Sequence, residues 1–249
     1  MTIANSRACQ VGAEESLAFV KSLTAPPKTV LDVGCGDGTL ARLLSDNGFV
    51  VTAIDDNDEA IAKARELGLH CDRANFLEFE SEQNFDVLVF SRSLHHIHPV
   101  EAAVNQAVNL LKEGGLIIVE EFGAELVDYE TAVWFFGMKA FIEAGEKGAK
   151  WHGPKLENGR IPADPLKQWR EHHFGKHEVT PSNHILEALR RHFEPKVEAR
   201  LPYLYRYFLD NITSAQAQQL MHVESALCEA KVIRTIGLRF AGKKKPADL

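Results

Sequence analysis

The chain has 249 residues, 45% hydrophobic and 25% charged, proportions that fit a globular protein able to bury a sizeable core. Its net charge of −7 argues against nucleic acid as the main partner, since phosphate binding needs a basic surface. The four cysteines are scattered with no C-x-x-C pair, and neither a signal peptide nor an apolar run near ~18 residues is visible, so a cytoplasmic protein with reduced thiols and no membrane partner is expected.

Residues 1–12 show no clear period and read as loose. Glu14 to Leu23 reads as a helix with Leu17, Phe19, Val20 and Leu23 apolar, stopped by Pro26-Pro27. Thr29 to Val33 fits a buried parallel strand. It runs into Gly34-Cys35-Gly36-Asp37-Gly38, where glycines let the backbone turn sharply and approach a ligand. Leu40, Leu43 and Leu44 then form one face of a helix that closes at Gly48.

The loop spacing is G-x-G-x-G. A dinucleotide site wants G-x-G-x-x-G, and Thr39 stands where that pattern puts its third glycine. Asp32 and Asp37 flank the turn and suit a cationic ligand better than a phosphate. Val50 to Asp55 reads as the next strand, and Asp55 follows Gly34 by 21 residues, the ~20-residue offset at which an acid meets a ribose. A turn without ligand and a plain strand-end acid are the structural alternatives at these two places. Cys35 reads as a small packing residue of the loop rather than a nucleophile.

Asn57 or Asp58 caps a helix through Leu67, and a short strand follows around His70 to Ala74. Phe85 to Phe90 is the fourth strand, with Ser91 at its carboxyl end, where open α/β sheets bind ligands. His95, His96 and His98 come next; no nearby cysteine or carboxylate completes a metal set, so no metal is expected there. A helix over 99–111 ends at Gly114-Gly115, and Leu116 to Glu121 is the fifth strand. One of Glu120 and Glu121 is a candidate to face the substrate, with exposure the default for the other.

The pieces VLDVGCGDG, Asp55, FDVLVF (85–90) with SRSLHH (91–96), and LLKEGGLIIVEE (110–121) together resemble a class I S-adenosylmethionine-dependent methyltransferase. The resemblance implies an α/β fold: a doubly wound, mostly parallel, seven-stranded Rossmann-like sheet whose last strand is antiparallel. It implies S-adenosylmethionine as cofactor, with S-adenosylhomocysteine as product. It places Asp32, Gly34, Cys35, Gly36, Gly38, Asp55, Asp56, Asn75, Phe76 and Ser91 around that cofactor. Asn75 stands where the family usually has an acid; Phe76 packs either on the adenine or in the core; Asp56 departs from the usual apolar residue. His95, His96 and Glu120, with Glu121 as an alternative, are the candidate catalytic residues.

A single domain over 1–249 is expected, with a core of 28–121 and 182–242 and a helical insertion, 122–181, as a lid or an oligomer interface. Within it, Tyr129 to Ile142 reads as a helix with Trp134, Met138, Phe141 and Ile142 on one face and Val133 and Phe136 on a second. Gly145 to Arg160 reads as a mobile loop, and Asp164-Pro165 starts a helix carrying Trp169, His172 and His173, with His177 beyond it. Thr180-Pro181 opens a helix to His192. Val197 to Tyr205 reads as a sixth strand, with Tyr203, Tyr205 and Tyr207 on one face. Thr213 and Gln216 form a capping box for a helix to about Ala230, and Val232 to Ala241 is the last strand.

The function expected is methyl transfer to an O, N or C atom of a small-molecule acceptor by a monomer or homodimer. A non-catalytic S-adenosylmethionine-binding module and an NAD(P)-dependent oxidoreductase are the alternatives. Neither the amino-methylating N/D-P-P-Y/F tetrad nor the Pro-Cys nucleophile of C5-cytosine enzymes is present.

Overall fold

The computed structural model describes residues 9–145 and 153–246. Helix α1 (Cys9–Leu23) leads to β1 (Thr29–Val33), α2 (Thr39–Asp46), β2 (Val50–Asp55), α3 (Asp58–Glu66), β3 (Cys71–Arg73), β4 (Phe85–Ser91), α4 (Val100–Leu110) and β5 (Leu111–Phe122). Then come α5 (Tyr129–Gly145), α6 (Pro165–Arg170), a π-helical segment (Glu171–Lys176), α7 (Ser182–His192), β6 (Phe193–Leu201), a 3-10 segment (Leu204–Asn211), α8 (Ser214–Glu229) and β7 (Gly237–Lys244). The seven strands form one sheet in the order β3-β2-β1-β4-β5-β7-β6. It is mostly parallel, with an antiparallel pair at its C-terminal end, and helices flank it.

The described residues fall into two compact units. One comprises residues 13–121, 180–199 and 238–246 and carries the parallel strands. β1 pairs with β2 and β4, and β4 with β5, in a register that sets Ser91 opposite Glu120 at the strands' carboxyl ends. Its core packs Leu31, Phe90, Ile117 and Leu189 on one side of the sheet, and Val30, Leu44, Val89 and Ile118 on the other. The alternation of Val30 and Leu31 between the two clusters follows from the period-two pleat, so a strand buried on both faces reads as a continuous apolar run.

The other unit comprises residues 9–12, 122–145, 153–179 and 200–237. Its core is aromatic: Phe122, Phe135, Phe136, Trp169, Tyr203, Tyr205 and Phe208. Here several expectations are corrected. In α5 the buried side chains are Thr131, Ala132, Phe135, Phe136 and Lys139, whereas Phe141 is 76% exposed. The expected strand at 197–205 ends at Leu201, and Tyr205 and Tyr207 lie in the 3-10 segment. The cause is a long-range acceptor: the buried Glu224 carboxylate takes hydrogen bonds from the backbone N–H groups of Tyr203, Leu204 and Tyr205 at 2.6–2.8 Å. Those N–H groups cannot then join a sheet ladder. The last strand begins at Gly237 rather than at Val232, and α1 begins at Cys9 rather than at Glu14. The expected loop at Gly145 to Arg160 lies partly outside the described residues.

Candidate functional site

The glycine loop takes its shape from β2. The N–H groups of Gly34 and Cys35 both donate to the Ile54 carbonyl, at 2.8 and 3.0 Å, which folds the chain back over the strand end. Gly34 has φ +70°, and a Cβ there would stand 2.4 Å from the Cβ of Ser93, so only glycine fits under that residue. Ser93 is held in place by donating its hydroxyl to the Val33 carbonyl. Gly36 differs: a Cβ built on it meets nothing within 4 Å, so its backbone faces open space.

Asp55 is fixed beside this opening. Its Oδ2 accepts the Gly36 N–H and its Oδ1 the Asn57 N–H, each at 2.9 Å. Each carboxylate oxygen has two lone pairs, so an oriented Asp55 retains accepting capacity for two further donors. Asp32 is 1% exposed, and its Oδ2 is buried with no hydrogen-bond partner among the described residues. Burial, helped by the nearby charge of Asp55, pushes its carboxyl up to about 7. Burial and the charges of Asp32 and Asp55 push the Cys35 thiol up as well, which keeps it protonated and inert.

The N-terminus of α2 is already occupied. Asp37 Oδ1 accepts from the Thr39 N–H at 3.1 Å and from its hydroxyl at 2.7 Å. In a dinucleotide site this helix end receives the pyrophosphate, and here a carboxylate stands there instead.

The remaining cofactor candidates are spread along the same strand ends. Asp56 and Asn75 are exposed, and Asn75 Oδ1 accepts the Leu77 N–H at 3.0 Å, capping a 3-10 turn. Phe76 is buried, edge-on to Phe90 with ring centroids 5.3 Å apart, so its ring belongs to the core. Ser91 is half-buried at the end of β4.

Two residues beyond Ser93, His95 is buried and its Nδ1 lies 2.6 Å from Glu121 Oε2. Its backbone N–H donates to Glu121 Oε1 at 3.2 Å, and its carbonyl accepts the Thr180 N–H at 3.1 Å. A carboxylate only accepts, so Nδ1 carries a proton in this pair. His96 is exposed, its ring 4.0 Å from that of His95. Glu120 forms an ion pair with Arg239 at 2.8 Å. Neither strand-end acid is exposed: Glu120 is 6% and Glu121 1% accessible, which corrects the expectation that one of them faces water. Glu121 as the partner of His95 was not singled out from sequence; the only signal was its place at the end of an apolar strand.

In the aromatic unit, burial and the charges of His177, Lys176 and Lys139 push His172 down to about 4. Among the described residues no group of three or more His, Cys, Asp or Glu side chains is arranged to hold a metal, and no helix is long and apolar enough to cross a membrane.

A methyltransferase domain family matches residues 7–173, more than half of the chain. A ubiquinone biosynthesis O-methyltransferase of Xylella fastidiosa (strain 9a5c) is 37% identical over 112 residues, covering 42% of this chain and 46% of that protein. An uncharacterized methyltransferase of Staphylococcus carnosus is 29% identical over 119 residues, covering 44% and 58%. The chain thus spans about half the length of these relatives. Among solved structures, an S-adenosylmethionine-dependent methyltransferase from Mesorhizobium loti superposes with a TM-score of 0.61 at 18% identity, covering 94% of this chain and all of that one. The N-methyltransferase NodS of Bradyrhizobium japonicum, solved with S-adenosylhomocysteine, gives 0.55 at 13% identity over 98% and 90%. The fold is shared with these structures, and by the family match the chain belongs to the S-adenosylmethionine-dependent methyltransferases.

Proposed function

We propose that the protein transfers a methyl group from S-adenosylmethionine to a nucleophilic atom of a small-molecule acceptor. The observation that carries this reading is the buried, unpartnered Asp32 oxygen behind a glycine turn whose Gly36 backbone is open to a ligand. A buried carboxylate without a partner is costly, and an approaching cation removes the cost. S-adenosylmethionine carries an ammonium and a sulfonium and no phosphate. An NAD(P) pyrophosphate would instead bring negative charge beside Asp32, Asp37 and Asp55. The residues present therefore fit the first group and oppose the second.

The geometry supports the following roles. Asp55, already aligned by Gly36 and Asn57, accepts from ribose hydroxyls. Asp32 holds positive charge. Gly34, Cys35, Gly36 and Gly38 shape the turn; Asp56, Asn75 and Ser91 border it, and Phe76 supports it from the core. Bound S-adenosylmethionine supplies a methyl group already activated by its sulfonium. The chain's own contribution is then mainly proximity and in-line orientation. Where the acceptor keeps its proton, His95 Nε2 takes it, and Glu121 holds the ring and steadies the imidazolium that forms. Glu120, tied to Arg239, serves the same strand end as a structural ion pair, and exposed His96 packs on His95.

The test is a mass-spectrometric screen of small phenols, amines and activated carbon acids with S-adenosylmethionine. Gain of one methyl on an acceptor, matched by S-adenosylhomocysteine, supports the reading. Tight S-adenosylmethionine binding with no turnover of any class would favour the non-catalytic module.

A further inference from the structure

The end of the parallel sheet opposite the glycine loop carries a cavity of about 310 Å³ that the reaction outlined above does not use. It lies at the amino ends of β1, β4 and β5, and the length of β1 alone puts about 13 Å between it and the glycine loop. Four lysines line it, Lys28, Lys112, Lys196 and Lys243, against two carboxylates, Asp86 and Glu113. Both carboxylates are already engaged. Asp86 Oδ1 accepts from Lys28 at 3.4 Å, and its Oδ2 accepts from Lys112 at 3.0 Å and from the Thr29 N–H and hydroxyl at 2.9 Å. Glu113 pairs with Lys244 at 3.3 Å. Lys196 and Lys243 are exposed, and among the described residues no hydrogen bond or ion pair holds either side chain. A chain of net charge −7 thus gathers uncompensated positive charge in one concave place.

The backbone fixes this arrangement. Phe85 pairs with Leu111 and Val87 with Leu116, so Lys112-Glu113-Gly114-Gly115 bulges out of the ladder. Gly114 has φ +68°, and a Cβ there meets nothing within 4 Å, so the bulge turns bare backbone to open space. The C-terminal run Lys243-Lys244-Lys245 is held as well. Lys244 Nζ donates to the Leu111 carbonyl at 3.1 Å, and Lys245 donates its N–H to the His192 carbonyl at 3.0 Å and its ammonium to the carbonyls of Arg190 and Arg191. Lys243, the residue before them, is thereby kept at the cavity. Leu23, Val87 and Leu116 supply its apolar wall.

We propose that this cavity binds the phosphate monoester of a small organic molecule, at a site separate from the cofactor loop. Lysine ammoniums are compact point charges, and several converging from different elements suit a tetrahedral dianion. A planar carboxylate is matched instead by the arginine fork, and among the described residues no arginine lines the cavity. Lys28 and Lys112 are engaged by Asp86, so Lys196 and Lys243 take the phosphate oxygens. The apolar wall receives the organic body, which inorganic phosphate lacks. A nucleic-acid strand fits poorly, because the lysines ring one hollow rather than forming a stripe and the chain as a whole is acidic.

The experiment is a calorimetric titration of the full chain with phenyl phosphate, inorganic phosphate and phenol at fixed ionic strength. Phenyl phosphate should bind at one site, inorganic phosphate more weakly and phenol not at all. The double variant Lys196→Gln/Lys243→Gln should weaken phenyl phosphate about tenfold, the effect of losing two exposed charge contacts, with S-adenosylhomocysteine affinity unchanged. Lys167→Gln/Lys231→Gln removes as much charge elsewhere and should leave phenyl phosphate binding as it is. In 15N spectra of the wild type, phenyl phosphate should shift the amides of Gly114 and Gly115 and not those of Gly34 and Gly36, which tests the site even if the double variant does not fold. No binding of phenyl phosphate, equal binding of inorganic phosphate, or an equal loss in the two double variants overturns the proposal. So does a single-stranded oligonucleotide that displaces phenyl phosphate and is itself weakened by Lys196→Gln/Lys243→Gln, which would assign the surface to nucleic acid. S-adenosylhomocysteine is titrated separately, so failure here leaves the methyl-transfer reading standing.

Discussion

Asp32 offers the sharpest quantitative test of the cofactor site. Its carboxyl is raised from the ordinary 3.8 to about 7, by burial first and the Asp55 charge second. At 1.36 kcal/mol for each pH unit, that gap corresponds to about 4 kcal/mol between the protonated and ionised folded forms. The sign is opposite to the usual carboxylate case. Below pH 3.8 folded and unfolded chains are both protonated at this position and no penalty exists. Between 3.8 and about 7 the unfolded chain has lost the proton that the folded chain keeps, so stability falls as pH rises. Above about 7 the folded chain carries the whole penalty. Asp32→Asn removes the ionisation while keeping the shape. Denaturant unfolding without cofactor should show the variant gaining about 4 kcal/mol on the wild type from pH 4 to pH 8, while the cost of the new amide offsets the whole curve equally at every pH. S-adenosylhomocysteine, with its ammonium, should bind the wild type more tightly as pH rises through 7, with release of a proton, and should bind the variant weakly and without that slope. Parallel stability curves for the two proteins across this range would refute the reasoning.

Three further outcomes are expected. Asp55→Ala should weaken S-adenosylmethionine binding by about 1.5–3 kcal/mol in calorimetry, the range for hydrogen bonds to a charged group, while circular dichroism stays native. Gly34→Ala and Gly36→Ala should separate folding from binding: the first drives a Cβ into Ser93 and should lower the melting temperature sharply, whereas the second meets open space and should fold with about 1 kcal/mol of φ strain but bind cofactor poorly. Glu121→Gln should reduce kcat about 10²-fold or more on any acceptor that must lose a proton, with S-adenosylmethionine affinity intact, as measured by single-turnover methylation.

The elements that were legible in the sequence are those whose signals are local. The apolar run of β1, the glycine loop and the strand-end acid Asp55 lie close together in the chain, and the structure joins them through Gly36 and Ile54. The capping box of Thr213 and Gln216 forms as its residue types require. What was not legible depends on partners distant in the chain. Glu121 meets His95 across 26 residues because the β4–β5 register, which sets Ser91 opposite Glu120, brings the turn after β4 to the carboxyl end of β5. Tyr203, Tyr205 and Tyr207 alternate as a strand would, yet Glu224, about twenty residues on, captures the N–H groups and winds the segment into a 3-10 helix. In α5, apolar residues on nearly every side left the inward face undetermined. The structure buries Phe135 and Phe136 and turns Phe141 outward. Phe136 is therefore a core residue, and Phe136→Ala should cost about 3–5 kcal/mol of stability.

Calorimetric titration of the wild-type protein at pH 8 with S-adenosylhomocysteine, and separately with NAD and NADP, tests the central claim most directly. Saturable one-site binding of S-adenosylhomocysteine, lost in Gly36→Ala, and no heat from either dinucleotide is the result predicted. Binding of a dinucleotide with no response to S-adenosylhomocysteine would contradict the account.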